Sequence, residues 1–105
     1  MGEADIYGYL KIMMSQCKIF PNRKEWLLNG KRHRDDGPAV EYENGSKYWY
    51  QNGKLHRVDG PAVTVRSYIQ WWFNGNRYTT PEEMPFELYV GYLKWRFTNE
   101  KLQSS

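Results

Sequence analysis

Between residues 17 and 78 apolar residues fall at every second position over short strides. Val40 and Tyr42 alternate with Ala39 and Glu41, and Val63 and Val65 with Ala62 and Thr64. Period-two alternation of this length marks half-buried strands. Asn29-Gly30, Asn44-Gly45, Asn52-Gly53 and Asn74-Gly75 punctuate the runs, and Asn and Gly accept the positive φ that tight hairpin turns demand. Strand, turn and strand at intervals of ~10 to 12 residues read as an antiparallel meander, here of about five or six strands. The Trp-bearing runs differ. Tyr48-Trp49-Tyr50 and Trp71-Trp72-Phe73 are apolar on both faces, so a second layer covers one face or that face binds a partner.

Outside this region the period changes. Ile6, Tyr7, Leu10, Met13, Met14 and Cys17 lie on one helical face, which predicts a helix over residues 5–15, weakened by Gly8. Cys17 to Phe20 reads as a strand ended by Pro21-Asn22. Thr80-Pro81-Glu82-Glu83 reads as an N-cap, a first-turn proline and a capping-box acid. Pro85 then interrupts, so the helix proper is expected from about Phe86. Phe86, Tyr89, Val90, Leu93 and Phe97 form one stripe, widened by Leu88, Tyr92 and Trp95, that should cover the sheet; Leu102 to Ser105 should fray. The expected fold is mainly β (α+β) in a single domain, 1–105. It comprises an N-terminal helical segment 1–16, hairpin repeats 17–78 and a C-terminal helical segment 79–105.

The strand pattern also repeats. Trp26, Asn29-Gly30, Lys31, His33-Arg34, Asp36-Gly37-Pro38-Ala39 and Val40 return about 23 residues later as Trp49, Asn52-Gly53, Lys54, His56-Arg57, Asp59-Gly60-Pro61-Ala62 and Val63. A third copy begins at Trp71 and decays: Tyr78 stands where His was and no Asp-Gly-Pro-Ala follows. Fixed-period self-similarity is the signature of a repeat array, and stacked units align Trp26, Trp49 and Trp71 in a column. Trp26, His33, Asp36, Gly37, Pro38, Trp49, His56, Asp59, Gly60, Pro61 and Trp71 are therefore read as architecture.

These residues resemble the MORN repeat, specifically the His-Arg-x-Asp-Gly-Pro-Ala variant common in small proteins of tailed phages and large DNA viruses. The resemblance implies a sheet of successive hairpins used mostly as a protein-interaction scaffold, and it assigns no activity. Lipid binding, proposed for MORN proteins, is not carried over, because Arg34 and Arg57 replace the glycine that often follows the His.

Composition narrows the picture. The 105 residues are 17% aromatic yet polar overall, with mean hydropathy −0.88, so large rings should supply most of the core. Net charge is +3, fifteen basic residues against twelve acidic, with no polybasic block. One cysteine, Cys17, makes no internal disulfide, and no secretory leader or ~20-residue apolar span is present. A cytoplasmic, non-membrane protein is expected. Ile6 stands where a myristoylation signal needs Ser or Thr.

His33 with Asp36 and His56 with Asp59 offer His/carboxylate pairs for acid–base catalysis. A structural role is the better reading, since catalytic groups are not duplicated in each unit of an array. The Asp should then bond nearby backbone amides and the His cap its hairpin. No metal site or cofactor is expected, and no nucleophile or phosphate-loop motif occurs. Lys31 and Lys54, Arg34 and Arg57, and Arg32 and Arg77 fall at repeat spacing and could align beside aromatics to hold nucleic acid or an anionic nucleotide; pairing of Arg34 with Asp36 and Arg57 with Asp59 competes with that. Tyr48, Tyr50 and Trp72, opposite the Trp column, are the candidate partner contacts, together with the arginines. The expected role is a non-enzymatic phage accessory protein that binds and inhibits a host defence protein in the host cytoplasm. Homo-oligomerisation through an exposed edge or the aromatic face stays open.

Overall fold

The computed structural model of the chain describes residues 15–104. The helix expected over 5–15 lies, but for Ser15, outside the described residues. Ten strands form: β1 (Gln16–Phe20), β2 (Arg23–Leu28), β3 (Lys31–Arg32), β4 (Val40–Tyr42), β5 (Lys47–Tyr48), β6 (Tyr50–Gln51), β7 (Lys54–Leu55), β8 (Val63–Val65), β9 (Tyr68–Phe73) and β10 (Asn76–Tyr78). Eight join one antiparallel sheet in the order β1-β2-β4-β5-β8-β9-β10, with β3 paired to β2, and β6-β7 stands as a separate hairpin. One helix follows, α1 (Phe86–Ser104), so the meander of hairpins with a C-terminal helix is the fold.

The strand count exceeds the five or six expected because each Trp-bearing strand serves two partners. Arg23–Glu25 of β2 pair with β4, whereas Leu27 and Leu28 pair with β3. In the second unit the strand breaks at this point, leaving Trp49 between β5 and β6 with its N–H bonded to the Ala62 carbonyl at 2.7 Å.

Three Asn-Gly pairs form the two-residue turns expected of them: Asn29 (φ 55°), Asn52 (φ 51°) and Asn74 (φ 49°) each precede a positive-φ glycine, the mirror-image geometry that matches strand twist. Asn44-Gly45 differs. Only Gly45 is left-handed (φ 92°); Tyr42 N–H bonds Ser46 O across a longer loop, and the Asn44 side chain accepts from Ser46 N–H at 2.9 Å. The dipeptide is shared, but loop length selects the turn.

Register places Glu25 opposite Val40, Val40 opposite Tyr48, Tyr48 opposite Val63 and Val63 opposite Gln70. Directly opposed residues share a face, so this row lines one side and Trp26 and Trp71 lie on the other. Large rings were expected to supply the core. Instead the most deeply buried positions are Ala39, Val40, Ala62 and Val63, with Leu88 of α1, and among the column only Trp71 is buried. Ala39 joins two strands: its carbonyl accepts from Trp26 N–H and its N–H donates to Tyr48 O, both at 2.8 Å.

Pro81–Glu83 makes a single 3-10 turn, without a side-chain cap from Thr80, and α1 begins after Pro85 as the proline requires. It docks on the side opposite to the expected stripe. Leu88 and Gly91 are buried, and Tyr92 and Trp95 meet the Trp71 indole edge-on at 5.3 and 5.2 Å. Phe86, Tyr89, Leu93 and Phe97 face out, and Val90 is half-buried. Apolar residues ring this helix, so its period does not select a face. Gly91 does: a Cβ there would overlap the Val58 carbonyl oxygen and crowd Asp59 Cα, so only glycine lets helix backbone meet loop backbone. The helix is assigned through Ser104.

Gly91→Ala should lower the unfolding free energy by about 3 kcal/mol through overpacking against main chain, although alanine favours helix intrinsically. Urea unfolding followed by Trp fluorescence measures this, and a neutral result would mean that α1 docks differently.

Candidate functional site

The His-Arg-x-Asp-Gly-Pro-Ala segment folds identically in both complete units. The Arg34 guanidinium lies 3.9 Å over the Trp26 ring, and Arg57 lies 3.9 Å over Trp49. Arg34 Nε donates to Asp36 (3.1 Å) and Nη1 to the Pro38 carbonyl (3.2 Å). Arg57 repeats this with Asp59 (2.7 Å) and Pro61 (3.1 Å). The opposite side of each guanidinium rests against a glycine: a Cβ on Gly37 or Gly60 would stand 2.8 or 2.6 Å from the arginine Cζ. Trp, Arg, Asp, Gly and Pro thus form one closed contact set per unit. The pairing of Arg34 with Asp36 and Arg57 with Asp59 weighed in the sequence is present.

The His/Asp pairs are not. Asp36 and Asp59 are taken by arginine, not by backbone amides or histidine. Each His instead reaches into the next unit: His33 Nδ1 accepts from Asn52 N–H at 3.0 Å, and His56 Nδ1 from Asn74 N–H at 2.9 Å. It caps the following unit's turn, not its own hairpin. The remaining nitrogen of buried His33 lies 3.1 Å from Asp35. Gln51 donates to the same carboxylate, and chiefly through that bond, with His33 adding to it, Asp35 is held below the usual carboxylate range. In the second unit Val58 replaces Asp35 and Phe73 replaces Gln51, and the His56 ring packs on Phe73 at 4.7 Å. Both Nδ1 atoms are therefore occupied as hydrogen-bond acceptors.

Tyr48, Tyr50 and Trp72 are half-buried. Tyr48 approaches Tyr42 edge-on at 5.8 Å; burial first, then neighbouring tyrosines, push its phenol pKa up. The Tyr50 hydroxyl accepts from Arg32 at 3.4 Å, and Trp72 donates to Gln70 at 3.0 Å. Arg77 is exposed on β10, opposite Trp72. A cluster with no motif signature stabilises this region. Buried Glu25 accepts from Arg23 (2.6 Å) and Arg32 (3.1 Å). Burial raises the Glu25 carboxyl pKa, but the two arginines outweigh it and hold the group below its ordinary value.

The largest apolar exposure is on α1. Phe86 is 80% exposed, Phe97 67%, Leu93 43% and Tyr89 38%, at positions three to four residues apart that share one helical face. A groove of about 470 Å³ runs beside them, walled by Pro81, Met84, Phe86, Tyr89 and Leu93 and edged by Glu82 and Arg96. Sequence reasoning named these helix residues but assigned them to the core.

Among the described residues no His, Cys, Asp or Glu cluster could hold a metal ion, and no helix is long and apolar enough to cross a membrane. No protein-family model, curated protein or solved structure matches the chain.

Arg57→Ala should cost about 2 kcal/mol, the sum of a cation–π contact and a charged hydrogen bond to Pro61. Arg57→Lys should restore under half of it, because an ammonium cannot stack flat on the indole; thermal melts of the three proteins decide. A pH dependence follows from His56, whose pKa burial holds below 6.5, partly opposed by Glu87. The unfolded chain then takes the proton first. This group's contribution to stability is complete above about pH 6.5 and is lost as pH falls toward the lower folded value. Urea midpoints should drop across that window in the native chain and drop less in His56→Gln, which keeps an acceptor for Asn74 N–H.

Proposed function

We propose that this chain is a non-catalytic protein-interaction module built from MORN-like repeats, and that it docks partners through the outer face of α1. The exposure of Phe86, Tyr89 and Leu93 on a helix already anchored by its other side carries this reading. Contiguous apolar exposure of this kind marks interaction surfaces on small proteins, and aromatics are enriched among residues that dominate binding energy. The repeat motif contributes rigidity. Its arginines are committed to its aspartates and its histidines to the next turn's amide, which is what an architectural role asks of them. The aromatics Tyr48, Tyr50 and Trp72 rank below α1 as contacts because their polar atoms already have partners. A nucleic-acid or nucleotide site along the arginines is the weaker alternative, since Arg34 and Arg57 are folded onto Trp26 and Trp49. The narrower role of a phage factor that binds and inhibits a host protein in the host cytoplasm rests on the repeat's resemblance.

The test is affinity capture of the tagged chain from bacterial lysate, with and without nuclease, beside a Phe86→Ser/Leu93→Ser variant of unchanged thermal midpoint. The wild type should retain a protein in near-equal amount in both arms, and the variant should bind it about 30-fold or more weakly. Capture that survives the double substitution, or that vanishes with nuclease, would overturn the reading.

A further inference from the structure

We infer that the junction between the second and third units is an acid-released latch, in which His56 lets go of the Asn74 amide and turns to Glu87 of α1. The inference is independent of the reading of α1 as a docking surface. A neutral imidazole carries one N–H and one acceptor nitrogen, whereas an imidazolium carries two donors and no acceptor. His56 Nδ1 accepts from Asn74 N–H at 2.9 Å, so the proton of the neutral ring belongs on Nε2. A second proton can enter only at Nδ1. There it faces the Asn74 N–H, donor against donor, and the bond between units is lost in the same step.

The two junctions differ in what remains once that bond goes. Backbone bonds flank the histidine at both: Gly53 N–H to Arg32 O (2.8 Å) and Arg34 N–H to Tyr50 O (3.2 Å) at the first, Gly75 N–H to Leu55 O (2.8 Å) and Arg57 N–H to Trp72 O (3.2 Å) at the second. The first is also tied by Gln51, which donates to Arg34 O and to Asp35, both at 3.1 Å. At the second, Phe73 replaces Gln51 and packs on the His56 ring at 4.7 Å. Among the described residues no side-chain hydrogen bond besides that of His56 joins the second unit to the third.

The surroundings leave a charged His56 one free partner. Asp35, Arg57 and Asp59 line the same small cavity, but Asp59 is paired with Arg57 at 2.7 Å, and Asp35 is bonded to Gln51 and His33. Lys54, whose stem lies 3.5 Å from where a Gly75 Cβ would stand, brings only positive charge to the turn. Glu87 is exposed, has no ion pair among the described residues, and acts on His56 from α1. Burial holds the closed imidazole below its ordinary pKa, with Glu87 pulling the other way. Opening wets the ring and restores its affinity for the proton, so falling pH drives the latch from closed to open.

Amide hydrogen exchange by NMR between about pH 8 and 5 reads the latch, each rate being divided by the intrinsic exchange rate at that pH. The Asn74 opening constant should climb below about pH 6.5, by up to about 10-fold per pH unit for one proton taken up. The Asn52 amide, at the junction that keeps Gln51, should climb less steeply. Trp26 and Trp49, whose amides bond Ala39 and Ala62, report whole-chain opening and should stay better protected throughout. His56→Gln should hold the Asn74 constant level across the range, and Glu87→Gln should shrink its rise about 3-fold. Imidazole nitrogen shifts of the native chain read the proton without any variant, and neutral His56 should carry it on Nε2. A neutral ring protonated on Nδ1 overturns the inference. So does an Asn74 opening that ignores pH, persists in His56→Gln, or is matched at Asn52 or at the two tryptophans. A rise that Glu87→Gln leaves unchanged or enlarges overturns the turn toward α1.

Discussion

The guanidinium stacked on an indole, Arg34 on Trp26 and Arg57 on Trp49, is the contact on which the architecture depends. A single twisted sheet with a row of tryptophans on one face needs a second layer, and a chain of this length has no sheet to supply one. Arginine covers the ring with a planar, weakly hydrated group and keeps its outer edge in water. Each such contact contributes about 0.5 to 2 kcal/mol, and it dictates its neighbours. Glycine three residues later leaves room for the guanidinium, aspartate satisfies Nε, and the carbonyl of the ensuing proline satisfies Nη1. The conserved spacing within the repeat is the footprint of one side chain.

Coupling between units uses a different device. A histidine from one unit accepts the first turn amide of the next, so each hairpin is aligned by its predecessor. Around this shared bond the two junctions diverge: Asp35 and Gln51 make the first polar, whereas Val58 and Phe73 make the second apolar. His33 is the more buried of the two, and desolvation holds His56 below its ordinary pKa. In an array each unit contacts only its neighbours, so such pairs can change together without disturbing the column. In the third unit no arginine lies over the tryptophan among the described residues. Tyr92 and Trp95 take the place over Trp71 that a guanidinium takes over the other two, and α1 is thus the continuation of the array by other means.

Much of this was legible in the sequence. Repeat period, hairpin turns, the Pro85 break and the Arg–Asp pairing all follow from short-range rules about φ, donors and spacing. What was not legible depends on contacts between distant segments. His33 and His56 look like partners of Asp36 and Asp59 along the chain, but the acceptor geometry is settled by a turn about 19 residues away. Glu25 with Arg23 and Arg32 has no motif signature, because only the sheet brings Arg32 back onto β2. The orientation of α1 was misread since Phe86, Leu88, Tyr89, Tyr92, Leu93, Trp95 and Phe97 cover nearly every direction around the axis. The deciding residue was Gly91, which carries no hydrophobic signal. A glycine in mid-helix costs about 1 kcal/mol relative to alanine, and that unexplained cost was the available clue to a backbone contact.

The two sides of α1 answer to different requirements. The inner side closes the array: Leu88 is buried, Gly91 meets the Val58–Asp59 loop, and Tyr92 and Trp95 seal the last tryptophan. Capping elements of repeat proteins ordinarily turn a polar surface outward, because their task is to end the stack and keep it soluble. Here the surface turned outward carries Phe86, Tyr89, Leu93 and Phe97. Tyr89 stacks on Tyr92 at 6.4 Å and so supports the cap, whereas Lys, Glu or Gln at Phe86 or Leu93 would keep or improve helix propensity. Exposed aromatic surface also favours association in solution. Phe86 and Leu93 on the outer face of the cap are therefore not accounted for by the packing of α1 on the sheet.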